Sequence, residues 1–225
     1  MRMAGETISL DSLSTSTRDF VERARARLSP TPPGNLFEPI SAADAGGDHQ
    51  LAPELVRLLA GQTLRPAAVL APVVAREQPT LLFTVRATAL PNHAGQIAFP
   101  GGKIDDIDPD PLATAVREAE EEIGLARACI TPLGYLNPYL SGTGFRIVPV
   151  VGLVAPQYRL TLNPHEVTDA FEVPLDFLME PANHARHSRE WKGVQRSYYA
   201  MPYGERYIWG ATAGIIRQLY ERLYP

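Results

Sequence analysis

The stretch that most constrains this chain is residues 111–125, PLATAVREAEEEIGL, entered through Ala98-Phe99-Pro100-Gly101-Gly102-Lys103 and a loop of aspartates. Its two ends carry different helix signals. Asp110 offers a carboxylate to unpaired backbone N–H groups at the start, and Pro111 needs no N–H there. Gly124 takes the left-handed conformation that closes a helix. Between them Leu112, Val116, Ala119 and Ile123 recur at three- and four-residue steps, so one face is apolar and belongs on a core. Glu118, Glu121 and Glu122 recur at i, i+3 and i+4, which sets three carboxylates side by side on a second face. Such neighbours repel by roughly 0.2–0.5 kcal/mol per pair. A bound cation relieves that repulsion, and an all-oxygen ligand set suits Mg²⁺ or Mn²⁺ rather than zinc or copper. A solvated acidic face is the plain alternative for a glutamate-rich helix taken alone.

The other elements follow from period and punctuation. Residues 1–50 read as an N-terminal helical and linker extension, with an amphipathic helix over 13–28 whose apolar side holds Phe20, Val21, Ala24 and Leu28. Residues 51–225 form the main domain, opening with a short helix over 53–60. Strands are expected over 67–75, 80–86, 96–99, 130–136, 145–153 and 158–162, with a turn at Ser141–Gly144. A short helix over 175–179, a hairpin pairing 197–201 with 206–208, and a closing helix over 211–223 complete the order. Strands, helix, strands and helix in that sequence predict an α/β fold with a mixed sheet flanked by helices.

At 225 residues the chain is long enough to bury one good core. A net charge of −4 gives no electrostatic footprint for nucleic acid. The longest apolar runs are broken by Pro72 and Pro149 and are too short to span a bilayer, so no membrane partner is expected. Cys129 is the single cysteine, which excludes an internal disulfide and fits a cytoplasmic location. It is expected as a small buried residue in a strand. His165, His184 and His187 lack ligand-like spacing with the glutamates and are expected at the surface.

Arg117-Glu118-Ala119-Glu120-Glu121-Glu122-Ile123-Gly124-Leu125 matches the pattern R-E-U-x-E-E-x-G-U, with U small or aliphatic. It resembles the second half of the signature of the Nudix hydrolases, which cleave nucleoside diphosphates linked to another group. The resemblance implies an α/β/α sandwich with a mixed sheet and a divalent ion held by Glu118, Glu121 and Glu122 with the Gly102 carbonyl. It also implies that Arg117 pairs with the carboxylates and that Glu121 or Glu122 acts as general base. Glu166, in a later loop, is a candidate for a further ligand or for the base. One departure stands out: the general pattern has a glutamate eight residues before the Arg, and this chain has Pro109 there, in a loop one residue longer.

Upstream, LLFTVRATALPNHAGQIAFPGGK (81–103) is similar to a motif of one Nudix branch, the coenzyme A pyrophosphatases. Leu81, Leu82, Thr84, Arg86, Gly95, Phe99, Pro100, Gly101 and Gly102 match it. Pro91 stands where many members carry an Arg, so no role passes to it. The resemblance implies a small-molecule substrate of the coenzyme A class. Its phosphates call for cations and open backbone, for which Arg86, Lys103, Arg146, Gly95, Gly101 and Gly102 are available. Rival readings are the same chemistry on ADP-ribose, NADH or a damaged nucleotide, a non-catalytic Nudix binding module, and an RNA-decapping role. The aromatic C-terminal part, with Tyr198, Tyr199, Tyr203, Tyr207 and Trp209, suits a pocket or a homodimer contact.

Overall fold

In a computed structural model, residues 8–34, 36, 46–47, 64–191 and 194–225 are described. The helix expected over 53–60 lies outside them. Helix α1 (Thr15–Arg27) is followed by strands β1 (Gly46–Gly47), β2 (Arg65–Val74), β3 (Thr80–Arg86), β4 (Ile97–Ala98) and β5 (Gly101–Lys103). Then come helix α2 (Pro111–Ile123), β6 (Ile130–Tyr135), β7 (Tyr139–Leu140), β8 (Phe145–Val154), β9 (Val167–Pro174) and the short α3 (Leu175–Met179). Strands β10 (Ala185–Trp191), β11 (Val194–Tyr203) and β12 (Arg206–Trp209) precede the last helix, α4 (Ala211–Leu223).

The main sheet runs β1-β7-β8-β2-β3-β4, with β5 on β2, β6 on β8 and β9 on β3. It is mixed: β2–β8 and β1–β7 are parallel and the other pairs antiparallel. The β2–β8 ladder runs unbroken from Arg65↔Phe145 to Val74↔Val154, which makes these two strands the spine. Both are near-continuous apolar runs because helices cover both faces. On one face Ala115, Ala119 and Ile123 of α2 pack with Ala68, Leu70, Val148 and Val150. On the other, Phe20, Val21 and Ala24 of α1 join Leu175 and Leu178 of α3, Ile216 and Leu219 of α4, and Ala71, Val73 and Phe83 of the sheet. The result is a three-layer α/β/α sandwich.

Helix α1 is tied down by polar groups too. Ser14 caps it by accepting from the Thr17 N–H (3.2 Å), and the buried Thr17 hydroxyl donates to the Arg76 carbonyl (2.9 Å) just after β2. The three-stranded sheet β10-β11-β12 turns Met201 and Ile208 into the core. It gathers His187, Tyr198, Tyr207 and Trp209 into one aromatic cluster, with Tyr198 and Trp209 rings 5.4 Å apart.

Several expectations change. Residues 158–162 form no strand, because their N–H groups are taken elsewhere. Thr161 N–H donates to the Ile123 carbonyl (2.8 Å) and Asn163 N–H to the Glu122 carbonyl (2.9 Å), so the segment caps the end of α2. Cys129 ends a short 3₁₀ turn, Arg127–Cys129, and is only partly buried. Gly101–Gly102 is part of a strand, and β9 and β10 have no counterpart in the sequence reading. Among the described residues no helix is long and apolar enough to cross a membrane.

His184 is buried rather than at the surface. One ring nitrogen lies 2.7 Å from the Leu178 carbonyl and must carry the proton; the other accepts from Arg217 (3.3 Å). Burial lowers its pKa below the ordinary 6.5, the Leu178 carbonyl opposes that, Arg217 adds to it, and Glu221 and Glu180 counter it. The folded chain therefore resists the proton that the unfolded chain takes up. This contribution to stability is complete above the unfolded value and is lost as pH falls below it toward the folded value. Melting temperature is expected to drop as pH falls below about 6.5 in the wild type, and less steeply in His184→Gln. Parallel curves for the two proteins would show that His184 is not responsible.

Candidate active site

The site forms where β2 has two partners on one edge. Its end pairs with β3 (Val73↔Leu81), while its start pairs with β5 (Ala68↔Gly102, Val69↔Gly101). Helix α2 lies across this region, packed on β2 and β5. Its ends behave as their residues dictate: Asp110 accepts from the Ala113 N–H (2.8 Å), and Gly124 adopts φ 67°. The glutamate face thus meets the Gly101–Gly102 strand.

Each acid has a different setting. Glu122 is 3% exposed, accepts the Gly101 N–H (3.2 Å) and lies 3.9 Å from the Arg86 guanidinium. Burial pushes its pKa up to about 8; the Gly101 N–H and Arg86 pull the other way, while Glu118 and Glu166 add to the rise. Glu118 sits against Gly102 so closely that a Cβ there would come within 2.6 Å of its Oε2. Its pKa is also raised by burial, with Arg117 opposing and Glu121 and Glu166 reinforcing. Glu121 is exposed and meets Arg117 Nη1 at 3.0 Å. Glu166 enters from the loop before β9, where Asn163 donates to its Oε1 (2.8 Å) and its own carbonyl accepts from the Ala87 N–H. Four carboxylates therefore share one region.

Arg117 lies among them. Its Nη1 reaches Glu118 (2.8 Å) and Glu121 (3.0 Å), its Nη2 reaches the Lys103 carbonyl (3.4 Å), and Asp108 takes its Nε and Nη2. Arg86 Nε is buried with no hydrogen-bond partner, although its Nη1 faces Glu122. Gly95, at φ 69°, donates its N–H to the Arg86 carbonyl and anchors the β3–β4 loop. The Lys103 side chain is exposed. Arg146 is 5% exposed, opposite Pro66 and Leu140 two residues along β8 from the Ala68 level, so it is a buried side chain and not an open cation for a substrate. Asp108 and Asn163 were not foreseen. An aspartate nine residues before Arg117, in a loop lacking the expected glutamate, was the available signal for the first.

Among the described residues no group of three His, Cys, Asp or Glu side chains is gathered to hold an ion as they stand. Arg117 accounts for this, since it pins Glu118 and Glu121 while Glu122 turns to Gly101. The donor set nevertheless fits a hard divalent cation. All donors are oxygens, and Glu118 and Glu122 have raised pKa values because burial and neighbouring charge leave their ionised forms undercompensated. The glycine at 102 keeps that carboxylate against open backbone.

Comparison with known proteins identifies the family. Residues 64–192 match the model of the NUDIX domain. The chain is 41% identical to the "Uncharacterized Nudix hydrolase NudL" of Photorhabdus laumondii over 174 residues, 77% of this chain and 92% of that protein. It is also 41% identical to the protein so named in Yersinia pestis over 161 residues, 72% of this chain and 81% of that one. Among solved structures, the NUDIX domain of Shewanella oneidensis NrtR complexed with ADP ribose aligns with TM-score 0.47 and 18% identity, covering 82% and 99% of the two chains. A C. elegans Ap4A hydrolase aligns with TM-score 0.43 and 18% identity, covering 49% of this chain and 80% of its own. With its domain matched over more than half its length and with relatives at this identity, the chain belongs to the Nudix family.

Proposed function

We propose that this chain, a pyrophosphohydrolase of the Nudix family, cleaves the pyrophosphate of coenzyme A or its acyl derivatives. The products are 3′,5′-ADP and 4′-phosphopantetheine or its acyl form. The observation that carries this reading is the placement of Arg86. The branch-like segment 81–103 brings its Nη1 within 3.9 Å of Glu122 and leaves the side chain 30% exposed. A guanidinium so held has donors to spare for a phosphate oxygen.

Glu118, Glu121, Glu122 and the Gly102 carbonyl would hold Mg²⁺ or Mn²⁺. When bound, such an ion supplies positive charge against the pyrophosphate oxygens and makes water a better nucleophile. The protein's own groups do the rest. Gly101 and Gly102 leave backbone open for the diphosphate, and Arg86 and Lys103 offset its charge. Glu122 is committed to Gly101, so the exposed Glu121 accepts the proton of the attacking water. Asn163 holds Glu166 beside the same space as a further carboxylate.

The test is product analysis with Mg²⁺ or Mn²⁺ on coenzyme A, ADP-ribose, NADH and a nucleoside triphosphate, with Glu121→Gln in parallel. Formation of 3′,5′-ADP from coenzyme A, lost in the variant, is expected. Faster turnover of ADP-ribose or NADH would overturn the substrate assignment, and no turnover of any of them would favour a binding module.

A further inference from the structure

The loop between β5 and α2 departs from the family spacing, and the structure fills the gap with a residue that no motif assigns. Asp108 Oδ1 accepts from Arg117 Nε (3.1 Å) and Oδ2 from Nη2 (2.8 Å), a two-point fork. The same Oδ2 accepts the Thr114 hydroxyl (2.9 Å) and the Asp105 N–H (3.1 Å). Its side chain is 5% exposed. These bonds hold its carboxyl well down, at about 2, with the Arg117 bonds foremost and burial opposing. Asp108 is thus a fixed, ionised anchor behind a guanidinium whose remaining nitrogen, Nη1, spans Glu118 and Glu121.

We infer that Asp108 is a positioning residue that keeps Arg117 from closing over the glutamates. By occupying Nε and Nη2 it leaves Arg117 one nitrogen for Glu118 and Glu121. A divalent cation then displaces a single-nitrogen contact rather than a two-point fork. Without Asp108 the guanidinium is free to fork onto the carboxylates and compete with the ion, because bidentate pairing is the stronger geometry. The inference rests on reading the glutamate face as a cation site, and it goes beyond that reading by assigning the control of access to a residue that binds no ion itself.

The test measures Mn²⁺ binding by calorimetry on the full chain without substrate, beside kcat, KM and melting temperature. Asp108→Asn is expected to weaken Mn²⁺ binding by about tenfold to a hundredfold, the usual reach of a residue that orients a ligand set. Much of the rate returns at saturating Mn²⁺, while KM for the nucleotide stays within about twofold. Asp108→Glu, which keeps the carboxylate, recovers part of the affinity and guards against a loop that merely unravels. In an Arg117→Ala background the Asp108→Asn effect vanishes, since Asp108 acts through Arg117. Unchanged Mn²⁺ affinity in Asp108→Asn, or an equal loss with and without Arg117, overturns the inference and leaves the cation site standing. A wild-type chain that binds no Mn²⁺ sinks both.

Discussion

In Glu122→Gln, turnover is expected to fall by roughly 10²–10³-fold or more while the ion-free protein becomes more stable at pH 8. The two effects share one cause. Glu122 is buried, with one backbone N–H and a distant guanidinium as compensation. Its folded pKa, about 8, stands above the ordinary 4.5. The folded chain therefore holds a proton that the unfolded chain releases. That contribution is fully present below 4.5 and is lost as pH rises through about 8. Wild-type stability without ions should decline across that window, and glutamine, with no charge to bury, should flatten the decline. The expected gap at pH 8 is on the order of 2 kcal/mol. Denaturant unfolding at pH 5 and pH 8 with a chelator measures it. Mg²⁺ should raise the melting temperature of the wild type and do little for the variant, because an ion at the proposed site would make the ionised carboxylate tolerable. Parallel stability curves would show that Glu122 is not a strained carboxylate. Retained turnover would remove it from the site.

The two adjacent glycines should separate folding from function. Gly101 stands at φ 157°, and a Cβ there would lie 2.6 Å from Val69 Cα in β2. Backbone in a paired strand cannot yield, so Gly101→Ala should cost about 2–3 kcal/mol. At Gly102 a Cβ meets the end of the Glu118 side chain instead. A carboxylate swings aside cheaply, so Gly102→Ala should keep its stability within about 1 kcal/mol. It should nonetheless lose about 10- to 100-fold in ion affinity or rate, because the carboxylate that moved is one of the proposed ligands. Paired melting curves and turnover at saturating Mn²⁺ check both. A Gly102→Ala enzyme with wild-type rate would mean that the observed Glu118 position is not the working one.

Helix α2 was almost wholly legible in the sequence. Its caps at Asp110 and Gly124, its apolar stripe and its row of glutamates are set by residues within a few positions of each other, and so are α4 and β3, whose bounds match the expected ones. Local interactions decide such elements, so neighbours in sequence suffice to read them. What only the tertiary structure decided involves partners far apart in the chain. Residues 158–162 have strand-like composition, yet they cap α2 because its C-terminal carbonyls need donors. The composition of Arg146 and His184 suits the surface, but their places in β8 and beside α4 bury them. Gly102 meets Glu118, Arg86 meets Glu122 and Glu166 joins them only because β2 pairs with both β3 and β5 under α2. Asp108 meets Arg117 only because the longer loop folds back on the helix it precedes. Residue type and spacing determined which chemistry the chain carries; the packing of distant segments, which no short-range pattern encodes, determined which of those residues share a site.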